Sequence, residues 1–225
     1  MSGREAILSR LRTALRAGAD DAARARAVQQ RLESAPRGVI PARGQIPEED
    51  RVRLFCAMAE KVSATVERVA RPADVPQAVA RYLREKNLPA RVRMGSDERL
   101  RQVPWGSEPS LEITVGRAED SDLAGLAHAL GGIAETGTLV LASGPANPTT
   151  VNFLPEHHLV VVRAKDIAGD METVFDRVRE TYGKGVMPRT LNFITGPSRS
   201  ADIEQTLLLG AHGPRALHVI VVDGD

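Results

Sequence analysis

The sequence predicts an α/β fold: a mostly parallel sheet flanked by helices, preceded by an N-terminal helical arm. Three observations carry that reading. From about residue 65 onward, strand-like and helix-like segments alternate, which is the pattern of strand–helix–strand units. Two strand segments, "HLVVVRA" from His158 and "ALHVIVVD" from Ala216, are apolar nearly throughout, as strands covered on both faces must be. A length of 225 residues suffices for one sizeable α/β domain plus an appendage.

In chain order, "REAILSRLRTALRA" at 4–17 puts Ile7, Leu8, Leu11 and Leu15 on one helical stripe. An Ala/Arg-rich helix follows over 20–34, with only Val28 and Leu32 on its stripe. "APRGVIPARGQIP" then breaks the pattern with three prolines and two glycines. Residues 1–47 therefore read as the arm and 48–225 as the α/β domain. Nine arginines against four acids from Met1 to Arg43 make the arm basic, which suits either a partner or a solvated helix pair.

Pro47-Glu48-Glu49-Asp50 reads as a helix start, its acids complementing the dipole. Val52, Phe55, Ala59 and Val62 give that helix its buried face. Strands are expected at 65–70, 90–94, 111–115, 133–142, 158–163, 190–195 and 216–222. Helices are expected at 75–86, 170–181 and about 200–209.

Composition removes several function classes. A net charge of +1 gives no global pull toward nucleic acid. The single cysteine, Cys56, excludes a disulfide within the chain and a four-thiolate iron–sulfur cluster or Cys-held structural zinc supplied by this chain alone. In "RLFCAMAEKV" it reads as a buried thiol on a helix face. There is no signal-like opening and no membrane-span-length apolar run, so a cytoplasmic location is expected. A G-x-G-x-x-G fingerprint after a strand, a Gly-Lys-Ser/Thr phosphate loop and a G-x-S-x-G elbow are all missing. His157 and His158 point to opposite faces of a strand and are poorly placed to share a metal.

Chemistry is expected at strand ends, in the loops after 142, after 195 and around 131–137. Ser143–Phe153 offers Asn147, Thr149, Thr150 and Asn152 as hydrogen-bonding groups. "TGPSRSADIEQT" from Thr195 reads as a strand-to-helix turn. Gly196 allows close approach, Ser198 or Ser200 caps the helix, and Arg199 pairs with a ligand anion or with Asp202 or Glu204. Glu135 stands alone at the entrance of a strand. Gly137 beside it lets a ligand or another backbone come close, so Glu135 reads either as an acid–base, nucleophilic or accepting group or as a solvated turn residue.

Four stretches in order, "AETGTLVL" at 134–141, "LPEHHLVVV" at 154–162, "GPSRSADIE" at 196–204 and "GAHGP" at 210–214, resemble the LUD-domain family, in its lactate utilization protein C branch. The resemblance covers roughly Thr65 to Asp223. It implies a fold similar to the NagB/RpiA/CoA-transferase-like superfamily. It also implies a subunit of an NAD-independent system that oxidises L-lactate to pyruvate beside iron–sulfur partner proteins. Carried over by position, it gives Glu135 a catalytic role. Thr136, Gly137, Thr138, His158, Gly196, Ser198 and Asp202 fall on motif positions. Asn147, Arg199 and Ser200 join them as expected ligand-binding groups for a small carboxylate or phosphate. No cofactor, metal, nucleic acid or membrane is expected on this chain, and a homo-oligomer is compatible. The alternatives are a stand-alone isomerase- or transferase-like enzyme using Glu135 on a phosphorylated or CoA-linked carboxylate, and a ligand-binding regulatory domain.

Overall fold

The computed structural model describes residues 2–15, 22–201 and 207–224. Its elements in chain order are α1 (Gly3–Ala14), α2 (Ala22–Ser34), α3 (Glu48–Lys61), β1 (Thr65–Val69), α4 (Val75–Glu85), β2 (Arg91–Met94), α5 (Glu98–Arg101), β3 (Glu112–Val115), β4 (Ala124–His128), β5 (Gly131–Ile133), β6 (Thr138–Ala142), α6 (Thr149–Phe153), β7 (His157–Arg163), β8 (Ile167–Ala168), α7 (Met171–Tyr182), β9 (Leu191–Ile194), β10 (Arg199–Ser200), β11 (Leu208–Leu209) and β12 (Ala216–Val222).

The chain divides into two compact units, Met1–Val39 and Ile40–Asp225. The first holds α1 and α2, neither of which buries a residue. Helix α1 starts on a capping box: the Ser2 hydroxyl accepts from the Glu5 N–H at 3.3 Å, while the Glu5 carboxylate accepts from the Ser2 N–H at 2.6 Å. The boundary falls before residue 47, where the sequence places the end of the arm. Gly44 packs backbone to backbone on Gly169, and the Gln45 amide donates to Asp170 at 2.9 Å. Residues 40–47 therefore belong with the α/β body.

That body is built on a six-stranded parallel sheet of order β1-β12-β7-β4-β2-β3. Alternation sends successive residues of β7 and β12 to opposite faces. Leu159, Val161, Ile220 and Val222 pack on Val75, Val79, Tyr82 and Leu83 of α4. Val160, Val162, Val219 and Val221 meet Val52, Phe55 and Ala59 of α3, together with Leu139 and Leu141. Both faces are covered, as the continuous apolar runs require. Among the described residues, no helix is long and apolar enough to cross a membrane.

Two expectations are corrected here. The expected strand 133–142 is a hairpin, β5 turning into β6 with Gly131 opposite Val140. With β8 and β9 it forms a second, four-stranded sheet of order β8-β5-β6-β9, whose outer face packs Ile133 and Val140 on Val174 of α7. The helix expected over about 200–209 falls largely on residues 202–206, which lie outside the described residues, and only its ends are corrected. Arg199–Ser200 and Leu208–Leu209 pair as antiparallel strands. Strand β4, "AGLAH", escaped the sequence reading although it sits between β7 and β2.

Candidate functional site

A cleft of about 290 Å³ gathers three of the four motif stretches. Its walls come from Asn152 and Phe153 at the end of α6, His158 of β7, the segment Phe193–Arg199, the turn His212–Pro214 and Leu217 of β12. His158 and Leu217 are register partners near the amino ends of their strands, so the cleft lies at the amino edge of the parallel sheet.

Segment 196–200 is held against 208–214 by its own backbone. The Ser198 N–H donates to Pro214 O at 2.9 Å, and the Gly210 N–H donates to Ser198 O at 3.0 Å. The Ser198 hydroxyl accepts from the His212 N–H at 3.4 Å. Ser200 lies in β10 and the Ser198 amide is already occupied, while residues 202–206 of the helix that these serines were expected to cap lie outside the described residues. Asp202 lies outside the described residues.

Gly196, at φ +75°, is buried where a Cβ would collide with Val62 O and lie 3.2 Å from a terminal nitrogen of Arg199. The approach that Gly196 permits is therefore to the end of α3, and the Arg199 guanidinium lies over it. Arg199 has no carboxylate partner among the described residues. His158 is 1% exposed, and its Nε2 has no hydrogen-bond partner. Burial holds its imidazolium pKa down to about 3, so the ring is neutral at physiological pH.

Glu135 sits in the β5–β6 hairpin turn, which leads into β6 at Thr138 as its place before that run predicts. Its side chain is buried, Oε2 lacks a hydrogen-bond partner, and the nearest cation is Arg43 Nε at 4.0 Å. Glu135 is not among the residues lining the motif cleft. A file of hydroxyls runs from the turn toward it: Thr136 to Thr138 at 2.7 Å, and Thr138 to Thr195 at 2.7 Å. Gly137, at φ +67°, faces α3, where a Cβ would sit 2.5 Å from the Met58 carbonyl carbon. Asn147 is elsewhere again, donating to Asp97 at 3.0 Å beyond β2.

The structure thus brings together His158, Gly196, Ser198 and Arg199, and leaves Glu135, Thr136, Gly137, Thr138 and Asn147 outside the cleft lining. Asn152, which the sequence offers as a hydrogen-bonding group, does line the cleft, whereas Phe153, Thr195 and His212 were not named as ligand groups. Of those three, only His212 carried a signal, in "GAHGP". The remaining histidines have protein partners. His157 Nδ1 lies 2.9 Å from the Tyr82 hydroxyl, and His218 Nδ1 lies 2.8 Å from the Thr65 hydroxyl. Among the described residues, no group of three or more His, Cys, Asp or Glu side chains is arranged to hold a metal ion. Cys56 is half-buried, and burial pushes its thiol pKa up.

The LUD domain family model matches residues 52–222. Lactate utilization protein C of Geobacillus sp. (strain WCH70) is 42% identical over 93 residues, covering 40% of this chain and 39% of its own length. Lactate utilization protein C of Bacillus subtilis (strain 168) is 35% identical over 121 residues, 53% and 50% of the two chains. The matches to these relatives thus span about half their length or less. The Escherichia coli (strain K12) protein named "Uncharacterized protein YkgG" is 28% identical over 193 residues, covering 80% of this chain and 83% of its own. Among solved structures, a DUF162 family protein from Deinococcus radiodurans superposes with a TM-score of 0.57 at 23% identity, over 79% of this chain and 99% of that one. That likeness speaks to the fold alone.

Proposed function

This chain belongs to the LUD domain family, and on that premise we propose that it serves in lactate utilisation, as a subunit that binds a small carboxylate in the motif cleft. Its name-bearing relatives supply the pathway. The cleft supplies the chemistry, and one observation carries it: an arginine free of carboxylate partners among the described residues lines the same cleft of about 290 Å³ as a neutral buried histidine. A guanidinium offers a carboxylate two parallel N–H donors, and Phe153, Phe193 and Leu217 cover the carbon end. Oxidation of a 2-hydroxy acid to a 2-oxo acid releases two electrons. A chain with one cysteine cannot hold a four-thiolate cluster, so iron–sulfur partner proteins are the proposed acceptors.

Calorimetry with L-lactate, pyruvate and a sugar phosphate on wild type and Arg199→Ala tests the cleft. Loss of the charge-assisted bond predicts roughly tenfold or greater weakening for the carboxylates. Unchanged affinity for every anion removes Arg199 from the site.

A second reading has its own observation, the buried and unpartnered Oε2 of Glu135. A carboxylate taken from water without a hydrogen bond is costly, and a ligand donor would offset that. In this reading Glu135 is the base or nucleophile of a stand-alone isomerase- or transferase-like enzyme. Glu135→Gln keeps the shape and removes the charge. Turnover of a sugar phosphate or CoA-linked carboxylate by the isolated chain, abolished in Glu135→Gln, would establish it. Lactate-dependent dye reduction that requires the partners would favour the first reading.

A further inference from the structure

The motif cleft occupies the amino edge of the parallel sheet, which leaves the opposite edge to be explained. After β2 the chain moves outward to β3, and after β4 its next strand in this sheet is β7, on the other side. Since β2 and β4 are neighbours, the sheet's switch point lies outside their carboxyl ends. Open α/β sheets bind ligands at such points. Beside the switch point, a crevice of about 250 Å³ opens over the carboxyl ends of β4, β7 and β12, with Arg99 of α5, the helix that follows β2, in its wall. Its floor is apolar, with Val75, Val103, Val161 and Val222, and its polar groups include Arg99, His128 and Arg163.

The hydrogen bonds of these groups define what they still offer. Arg99 is committed: Nε and one terminal nitrogen donate to Asp97 at 3.0 and 2.6 Å, and the other donates to Ala129 O at 3.1 Å. Arg163 uses only Nε, on Asp166 at 2.6 Å, so both terminal nitrogens are without a hydrogen-bond partner among the described residues. His128 Nδ1 lies 2.8 Å from Ala129 O. A carbonyl only accepts, so Nδ1 carries the hydrogen and Nε2 presents a lone pair. Burial first, then Arg99, with Arg163 adding, holds the His128 pKa down to about 4. The lone pair is therefore intact at neutral pH, and Arg99 donates to the same Ala129 O that the ring engages.

We propose that this crevice is a second ligand site, for a small hydroxylated carboxylate. The terminal nitrogens of Arg163 take the carboxylate, His128 Nε2 accepts the hydrogen of the ligand hydroxyl, and the valines cover the carbon chain. A bare phosphate suits it less, because one arginine over an apolar floor would leave most of its oxygens desolvated and unpaired. The assignment rests on these groups alone and not on the reading of the motif cleft.

Nitrogen NMR of the full chain with ¹⁵N-labelled histidine tests it, using L-lactate and propionate as probes. The His128 signal is identified from the His128→Gln spectrum or, should that variant fail to fold, by backbone-to-ring correlation. L-lactate should move the His128 Nε2 resonance, and propionate, which lacks the hydroxyl, should bind about tenfold or more weakly. Arg163→Gln, a half-buried residue at a strand end, should raise the L-lactate Kd by about tenfold or more. Arg199→Ala on the motif cleft should leave the His128 response unchanged. A His128 resonance unmoved by L-lactate well above millimolar concentration, equal affinity for propionate, or an Arg163→Gln variant of unaltered affinity would overturn the proposal.

Discussion

Gly137→Ala separates the two uses that a glycine beside Glu135 can have. If the missing side chain makes room for a ligand, alanine will spoil binding and leave stability alone. If it makes room for α3, stability will fall. Gly137 has φ +67°, and an added Cβ would lie 2.5 Å from the Met58 carbonyl carbon and 2.8 Å from Ala59 Cα. The left-handed conformation costs an L-residue about 1–2 kcal/mol. Forcing a methyl group against helix backbone, which has no rotamer to turn aside, adds about 1–3 kcal/mol. The sum, roughly 2–5 kcal/mol, should lower the melting point by roughly 5–15 °C for a body of this size. Circular dichroism melts measure it, with Gly144→Ala as the control. A Cβ at Gly144 meets nothing within 4 Å, so that variant should stay within about 0.5 kcal/mol of wild type. A Gly137→Ala protein that melts like wild type but loses lactate binding would refute the packing account and restore the ligand one.

Acid should destabilise the body earlier than carboxylate titration alone would. Burial holds His158 down to about 3, and His128 and His218 to about 4, against about 6.5 in the unfolded chain. Between pH 6.5 and about 4 the unfolded state binds more protons, so stability falls as pH falls through that window, by about 2 kcal/mol per histidine at pH 5. Denaturant midpoints that are equal at pH 7.5 and pH 5 would contradict it. Deleting residues 1–39 should leave 40–225 with an unchanged melting point, because α1 and α2 bury no residue. The change should appear in self-association or partner capture through Ile7, Leu11 and Leu15, which are all exposed, as read by light scattering and pull-down. A truncated chain that fails to fold, or one that associates like the intact chain, would count against this role.

What the sequence made legible was whatever its local chemistry determines. β7 and β12 announced themselves because a strand buried on both faces has no room for polar residues. Helix α4 did so through Asp74 just before it and Pro76 in its first turn, where the missing N–H of proline costs no helix bond. β4 gave no such signal. "AGLAH" has no β-branched residue, and its Gly125 serves a contact made far away in sequence, where a Cβ would crowd Val151 O and come 2.9 Å from Pro155 Cγ. The 133–142 segment misled for a related reason. A tight turn inside an apolar run looks like one long strand until the partners, β8 and β9, are known. The second sheet follows from that pairing and from nothing local.

The same distinction decides how the candidate sites were read. Gly137 and Gly196 drew attention because glycine marks a place where something approaches, but the residue does not say what. Both places are filled by the end of α3, a neighbour remote from each in sequence. Arg163 and His128 drew none, since each closes a strand and neither stands in a turn-rich loop. What gives them chemistry is their hydrogen bonding: Asp166 takes only one nitrogen of the arginine, and Ala129 O fixes which nitrogen of the imidazole keeps its lone pair. A binding group is defined by the capacity its protein partners leave unused. For His158, Arg199 and Arg163 that capacity depends on neighbours supplied by the fold, so motif spacing can nominate such residues but cannot say which of their atoms are free.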